Sequence, residues 1–180
     1  MKHSLGWGIL LWASLAWASG FSQIEVETRH NEVGYWLDAQ LHYRFSDTAL
    51  DALENGVPLT VGIEIQVRRH DAWLWEIPVT RLVIKRAIRY QTLSELYQVT
   101  DFATSAKSHF ATRDAAMAAL GSLQGMQLLA QPDGDPQEAY EVRLRTQLDI
   151  NALPLPLRPL AYLKSAWNLD SGWYRWPLIP

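Results

Sequence analysis

Residues 33–45 read Val-Gly-Tyr-Trp-Leu-Asp-Ala-Gln-Leu-His-Tyr-Arg-Phe, and their alternation decides the fold class. Val33, Tyr35, Leu37, Ala39, Leu41, Tyr43 and Phe45 fall on one side, and Trp36, Asp38, Gln40, His42 and Arg44 on the other. A period of two sustained over this length predicts a long strand with one face buried and one face wet. Ile24–Thr28 reads as a shorter strand before it, joined through His30-Asn31-Glu32. Val61, Ile63, Ile65 and Val67 alternate with Gly62, Glu64, Gln66 and Arg68 in the same way. So do Tyr140, Val142, Leu144, Thr146, Leu148 and Ile150 against Glu141, Arg143, Arg145, Gln147 and Asp149. Half-buried strands of this kind predict a mainly β chain, an antiparallel β-sandwich-like single domain.

Two short helices are expected between the strands. Ser46 caps Asp-Thr-Ala-Leu-Asp-Ala-Leu-Glu-Asn, which Asn55-Gly56 terminates, and Thr112 caps Arg-Asp-Ala-Ala-Met-Ala-Ala-Leu up to Gly121. Pro132-Asp133-Gly134-Asp135-Pro136 reads as an exposed turn after a strand around Gly125–Ala130. Pro154, Pro156 and Pro159 predict an extended or turning stretch, because proline fixes φ and donates no ladder bond.

The N-terminus sets the expected location. Lys2, the apolar run Leu5–Trp17 and Ala16-Trp17-Ala18 have the order of a secretory signal peptide over residues 1–18, cleaved after Ala18 or after Gly20. Its apolar run is shorter than the ~20 residues that span a bilayer. Residues 19–180 are then expected to form one β-rich periplasmic domain, soluble after cleavage and without a membrane span, with an uncleaved N-terminal anchor as the structural alternative. Sixteen Lys and Arg oppose nineteen Asp and Glu, a net charge of −3, and loss of Lys2 makes it 15 − 19 = −4. That balance gives no electrostatic basis for nucleic-acid binding, which rests on neutralising phosphates. The absence of cysteine removes disulfides, thiolate chemistry and Cys-ligated metals.

The chain carries no catalytic or cofactor-binding pattern. His30, His42, His70 and His109 have no metal-ligand spacing, so no metal is expected. Gly121-Ser122-Leu123-Gln124-Gly125 places its serine one position early for a nucleophile elbow. Asp133 and Asp135 fall short of a calcium loop. Glu25, Glu27, Asp38 and Glu64 lie on strands, where alternation puts most of them in solvent rather than across a cleft.

A basic stripe is what remains. If Leu82, Ile84 and Ile88 face the core, then Arg81, Lys85 and Arg89 share the opposite face, joined by Arg68 from the neighbouring strand. Arg86 breaks that parity and predicts a bulge or a strand end. The intervening tip, His70–Trp75, carries Trp73 and Trp75. Arg68, Trp73, Trp75, Arg81, Lys85 and Arg89 are therefore the expected partner-binding residues, a cationic face beside an aromatic tip. The plain alternative is a solvated face balanced by Glu64, Glu76 and Glu95, with both tryptophans covering the core end.

Two blocks also carry a resemblance. Residues 49–69, Ala-Leu-Asp-Ala-Leu-Glu-Asn-Gly-Val-Pro-Leu-Thr-Val-Gly-Ile-Glu-Ile-Gln-Val-Arg-Arg, precede tryptophans and a strand with alternating bases; residues 149–178 close the chain with Pro154, Pro156, Pro159, Trp167, Trp173 and Trp176. Together they resemble an uncharacterised family of exported proteobacterial proteins. Its members are sometimes described as proline-rich signal-peptide proteins and are classed as a domain of unknown function. The resemblance implies a Gram-negative periplasmic setting. It also implies genes that often sit between those for a ribosomal RNA cytosine methyltransferase and a membrane sensor kinase, hence a signalling partner. It implies no activity and no catalytic residues.

The expectation is a non-catalytic periplasmic accessory protein that contacts an envelope or inner-membrane protein, with the external region of a sensor kinase as one such partner. A lipid- or glycan-binding module is the alternative, and a carboxylate-based hydrolase the weaker one.

Overall fold

The long alternating strand pairs along its whole length with the strand before it. β1 (Ser22–Asn31) and β2 (Gly34–Tyr43) form a hairpin in unbroken register from Ser22 opposite Tyr43 to Asn31 opposite Gly34. Asn31 closes the turn, its side-chain oxygen accepting from the backbone N–H of Val33 and Gly34 at 3.0 and 3.2 Å, as Asn does when it mimics a backbone turn. Val33 is thereby drawn out of the strand and is 60 % exposed, against the expectation that it continues the buried face. A computed structural model describes residues 21–71, 73, 76–130 and 139–178. The expected export segment 1–18, the whole of the expected turn 132–136 and Trp75 lie outside the described residues.

The remaining elements follow in chain order. They are α1 (Asp47–Glu54), β3 (Leu59–Arg69), β4 (Thr80–Gln91), β5 (Leu96–Asp101), β6 (Lys107–Phe110), α2 (Arg113–Gly121), β7 (Ser122–Ala130), β8 (Tyr140–Leu148), α3 (Arg158–Leu163) and β9 (Tyr174–Leu178). They build a mainly antiparallel, single-domain β-sandwich-like fold. One sheet has the order β1-β2-β7 and the other β6-β5-β4-β3-β8-β9. Both sheets face a shared core in which Leu37 and Leu41 of the smaller sheet join Val61, Ile63, Ile65, Ile88 and Leu144 of the larger. Tyr43 and Thr146 bond hydroxyl to hydroxyl across the two sheets at 3.1 Å, which satisfies two buried polar groups at once.

Both expected caps are present. Ser46 Oγ accepts from the Ala49 N–H and Thr112 Oγ1 from the Ala115 N–H, each relieving one orphan donor of its helix. Ala49 and Leu53 of α1, and Ala116 and Leu120 of α2, are the buried stripes. Gly121 has a different reason from the helix-terminating one expected of it. It is the last residue of α2, and a Cβ there would lie 1.9 Å from the Leu41 carbonyl oxygen, so glycine lets the helix end touch β2.

Three expectations are corrected. The proline-rich stretch is helical in part: one turn of 3-10 helix at Leu155–Leu157 runs into α3, so the short α-helices among the described residues number three rather than two. Pro159 sits in the first turn of α3, where the missing N–H breaks no intrahelical bond. Ile150 leaves the strand pattern and begins another 3-10 turn, Ile150–Ala152, whose first residues Asp149 caps. Arg86 marks no bulge, because β4 pairs in continuous register with both β3 and β5. Its side chain lies on the core side with Ile84 and Ile88, where Asp101 and the carbonyls at the end of α2 receive it. Strands β5, β6 and β9 are short and carry no alternation long enough to announce them.

Candidate functional site

The outer face of the six-stranded sheet is where the expected residues gather. Alternation in β3 sends Val61, Ile63, Ile65 and Val67 inward and Gly62, Glu64 and Gln66 outward. Register then sets their neighbours. One row across the sheet reads Lys85–Gly62–Gln147, the next Val83–Glu64–Arg145, and the next Arg81–Gln66–Arg143–Arg175. Most of these charges are matched. Arg81 meets Glu64 and Lys85 meets Asp149, each at 2.8 Å, Arg143 pairs with Glu141, and Arg145 grips Asp170 through both Nε and a terminal nitrogen. The Arg145 guanidinium also lies 5.9 Å from the Trp173 ring centroid. The hydrogen bonds from Arg145, against some burial and with help from the Gly172 N–H, hold Asp170 below the ordinary carboxyl range.

The expected partner-binding residues divide. Arg81, Lys85 and Arg89 do share this outer face and are exposed. Arg89 donates from Nε to the Gly56 carbonyl at 3.2 Å and meets no acid among the described residues. Arg68 is on the same face but only 8 % exposed, because it donates to the carbonyls of Trp73 and Glu76 at 2.8 and 2.7 Å and ties the 70–79 loop down. It anchors the loop rather than presenting a charge. Trp73 is 68 % exposed and Ile77 and Val79 of the same loop are also exposed, so Trp73 does not cover the core. Trp75 lies outside the described residues.

Sequence reasoning missed Arg143, Arg145, Arg175 and Gly62. The alternation of Arg143 and Arg145 placed them on a wet face, but only the β3–β8 and β8–β9 pairings bring them onto one face with Arg81. Gly62 and its neighbours leave a hollow of about 260 Å³ in the centre of the face, lined by Glu64, Val83, Lys85, Arg145, Gln147 and Asp149. A second dent of about 200 Å³ adjoins it, sharing Gln147, Asp149 and Asn151 and reaching Tyr162 and Trp167.

The outer face of the smaller sheet has the opposite character. Glu25, Glu27, Asp38 and Gln40 border an open dish of about 390 Å³, with Glu27 directly opposite Asp38. The Gly125 N–H donates to Asp38 at 2.7 Å and Arg29 pairs with its other oxygen; these hold its carboxyl below the ordinary range despite some desolvation. Glu64, weighed with these carboxylates as a hydrolytic group, lies on the other sheet. Among the described residues no three His, Asp or Glu side chains converge on a metal-sized site, and no helix is long and apolar enough to cross a membrane.

Residues 18–177 match the family model described as Domain of unknown function (DUF4390). No curated protein and no solved structure matches the chain.

Proposed function

The chain belongs to the DUF4390 family, and from that premise we propose a non-catalytic binding protein of the cell envelope, exported to the periplasm and acting on an acidic protein partner. The docking surface is the outer face of the six-stranded sheet. The observation that carries this reading is the segregation of charge between the two outer faces. On the larger sheet the cations Arg81, Lys85, Arg89, Lys107, Arg143, Arg145 and Arg175 oppose four acids (Glu64, Glu141, Asp149, Asp170), a surplus of 7 − 4 = 3 positive charges before the buried Arg68 is counted. On the smaller sheet Glu25, Glu27 and Asp38 oppose Arg29, with Arg44 just past the end of β2. A chain of net charge −3 that collects a positive surplus on one face steers and orients an acidic partner there.

The export segment at residues 1–18 supports the periplasmic location, and cleavage there frees the domain to reach a membrane protein's external region. A membrane sensor kinase is the first such partner to test, on the gene neighbourhood that the resemblance implies. The state of the acids supports a binding rather than a hydrolytic role. Asp38, one of the carboxylates weighed for hydrolysis, is committed to the Gly125 N–H and to Arg29, and Glu64 lies on the other sheet, so these carboxylates do not converge across one cleft.

Arg89 and Arg175 form no ion pair among the described residues, so reversing them breaks no internal pair. A photo-crosslinking residue at position 85, in living cells, is expected to capture an envelope protein, and Arg89→Glu with Arg175→Glu to cut that adduct roughly tenfold while the circular dichroism stays unchanged. An adduct that survives the double reversal undiminished refutes the docking face.

A further inference from the structure

Gly62 is a glycine that neither backbone conformation nor packing requires. It lies in the middle of β3, hydrogen-bonded on both sides to β4 and β8, in extended backbone. A Cβ built there meets nothing closer than the Gln147 carbonyl oxygen at 4.0 Å. Strand interiors favour β-branched residues and are weakened by glycine, which recurs where a ligand comes close to the backbone. What this glycine produces is the hollow at the centre of the outer face.

The chemistry of the hollow is specific. Its floor is the Gly62 backbone and the side chain of Val83, an apolar residue 56 % exposed on an otherwise polar face. Its charges are already matched, Lys85 with Asp149, Arg145 with Asp170 and Glu64 with Arg81, so a charged ligand would have to break a pair. Neutral hydrogen-bonding capacity remains. Glu64 accepts from Gln66 and Arg81 on one oxygen only, leaving the second. The Gln147 carboxamide has no hydrogen-bond partner among the described residues, and Asn151 accepts from Tyr162 on its oxygen while its amide N–H groups remain. Lys85 directs one N–H to Asp149 and keeps two.

We propose that the hollow binds an uncharged saccharide ring, its C–H face on Gly62 and Val83 and its hydroxyls on Glu64, Lys85, Gln147 and Asn151. At about 260 Å³ the hollow falls below the ~300 Å³ at which pockets for drug-sized ligands begin, which suits one ring. The adjoining dent, with Tyr162 at its edge, leads a second ring along the same groove. This site lies within the proposed docking face but needs no protein partner.

Amide chemical shifts of the ¹⁵N-labelled domain, titrated separately with N-acetylglucosamine, glucose, glutamate and inorganic phosphate, test it. Saturable shifts centred on Gly62, Glu64 and Gln147 are expected with at least one of the two sugars. Gly62→Ala is expected to weaken that binding at least tenfold while leaving the melting temperature unchanged or higher. Gln147→Ala, at an exposed position, is expected to weaken it with no effect on folding, and decides the matter if the glycine variant fails to fold. No saturable response to either sugar, a response to glutamate or phosphate alone, or sugar binding undiminished in these variants overturns the proposal. Loss of sugar binding leaves the position-85 crosslink intact, so the two readings fail separately.

Discussion

Replacing Arg86 tests how the second sheet and α2 are held together. The guanidinium is 18 % exposed and sits on the core side of β4. Nε donates to Asp101 at 2.8 Å; a terminal nitrogen faces the carbonyls of Ala119 and Leu120 at 3.5 and 3.4 Å and bonds that of Ser122. A cation at a helix C-terminus answers both the unpaired carbonyls and the negative end of the helix dipole. Asp101 in turn accepts from Ala103 and Thr104 and shapes the β5–β6 turn. Arg86→Met keeps much of the stem and removes every one of these donors. Removing one partner of a buried ion pair costs about 3–5 kcal/mol. Both side chains keep about a fifth of their surface in water, 18 % and 21 %, so we expect about 2–4 kcal/mol. For a domain of this size that lowers the melting temperature by roughly 6–12 °C. Urea unfolding followed by tryptophan fluorescence should show the lower midpoint with an unchanged slope. Adding Asp101→Asn should recover part of the loss, since the stranded charge is gone. A loss under about 1 kcal/mol, or no recovery in the double variant, refutes the reasoning.

Three further outcomes follow from the same geometry. Tyr43→Phe leaves the buried Thr146 hydroxyl unpaired and should cost about 1–3 kcal/mol in urea unfolding, most of it restored by adding Thr146→Val. Burial, against the Thr146 hydrogen bond, pushes the Tyr43 phenol up to about 12, so its contribution is full below pH ~10 and lost as pH rises toward 12; Tyr43→Phe should remove that alkaline loss, read by stability against pH. In acid the sign reverses. Burial tends to raise Asp101, but the hydrogen bonds from Arg86, Thr104 and Ala103 outweigh it, and with Asp170 it is held low, so both contribute above pH ~4 and lose that contribution as pH falls through their depressed values; Arg86→Met should shallow this acid limb. Gly121→Ala drives a Cβ to 1.9 Å from the Leu41 carbonyl oxygen and should cost about 3 kcal/mol or more by thermal melting, whereas a loss under about 1 kcal/mol would mean that α2 shifts freely.

Local chemistry was legible residue by residue. The alternation of residues 33–45 and of 61–67 appears as β2 and β3, and Ser46 and Thr112 cap the helices they were expected to cap. These features depend on neighbours within a few positions. The misreadings concern residues whose surroundings come from afar. Arg86 broke an apolar pattern, and nothing within its strand discloses that Asp101 and the end of α2 await it. The proline-rich stretch carries the φ restrictions of extended chain, yet proline at the first turn of α3 suits a helix equally well.

The sequence by itself determined the half-buried strands, the two capped helices and the wet face on which Arg81, Lys85 and Arg89 stand, because side-chain period and capping are local properties of the chain. Only the tertiary structure decided what that face contains. It folded Arg68 under its loop, set Arg143, Arg145 and Arg175 on one face with Arg81, and turned the missing side chain of Gly62 into a lined hollow. Strand order and register join residues as far apart as Arg81 and Arg175, and neither is written in the period of any one strand.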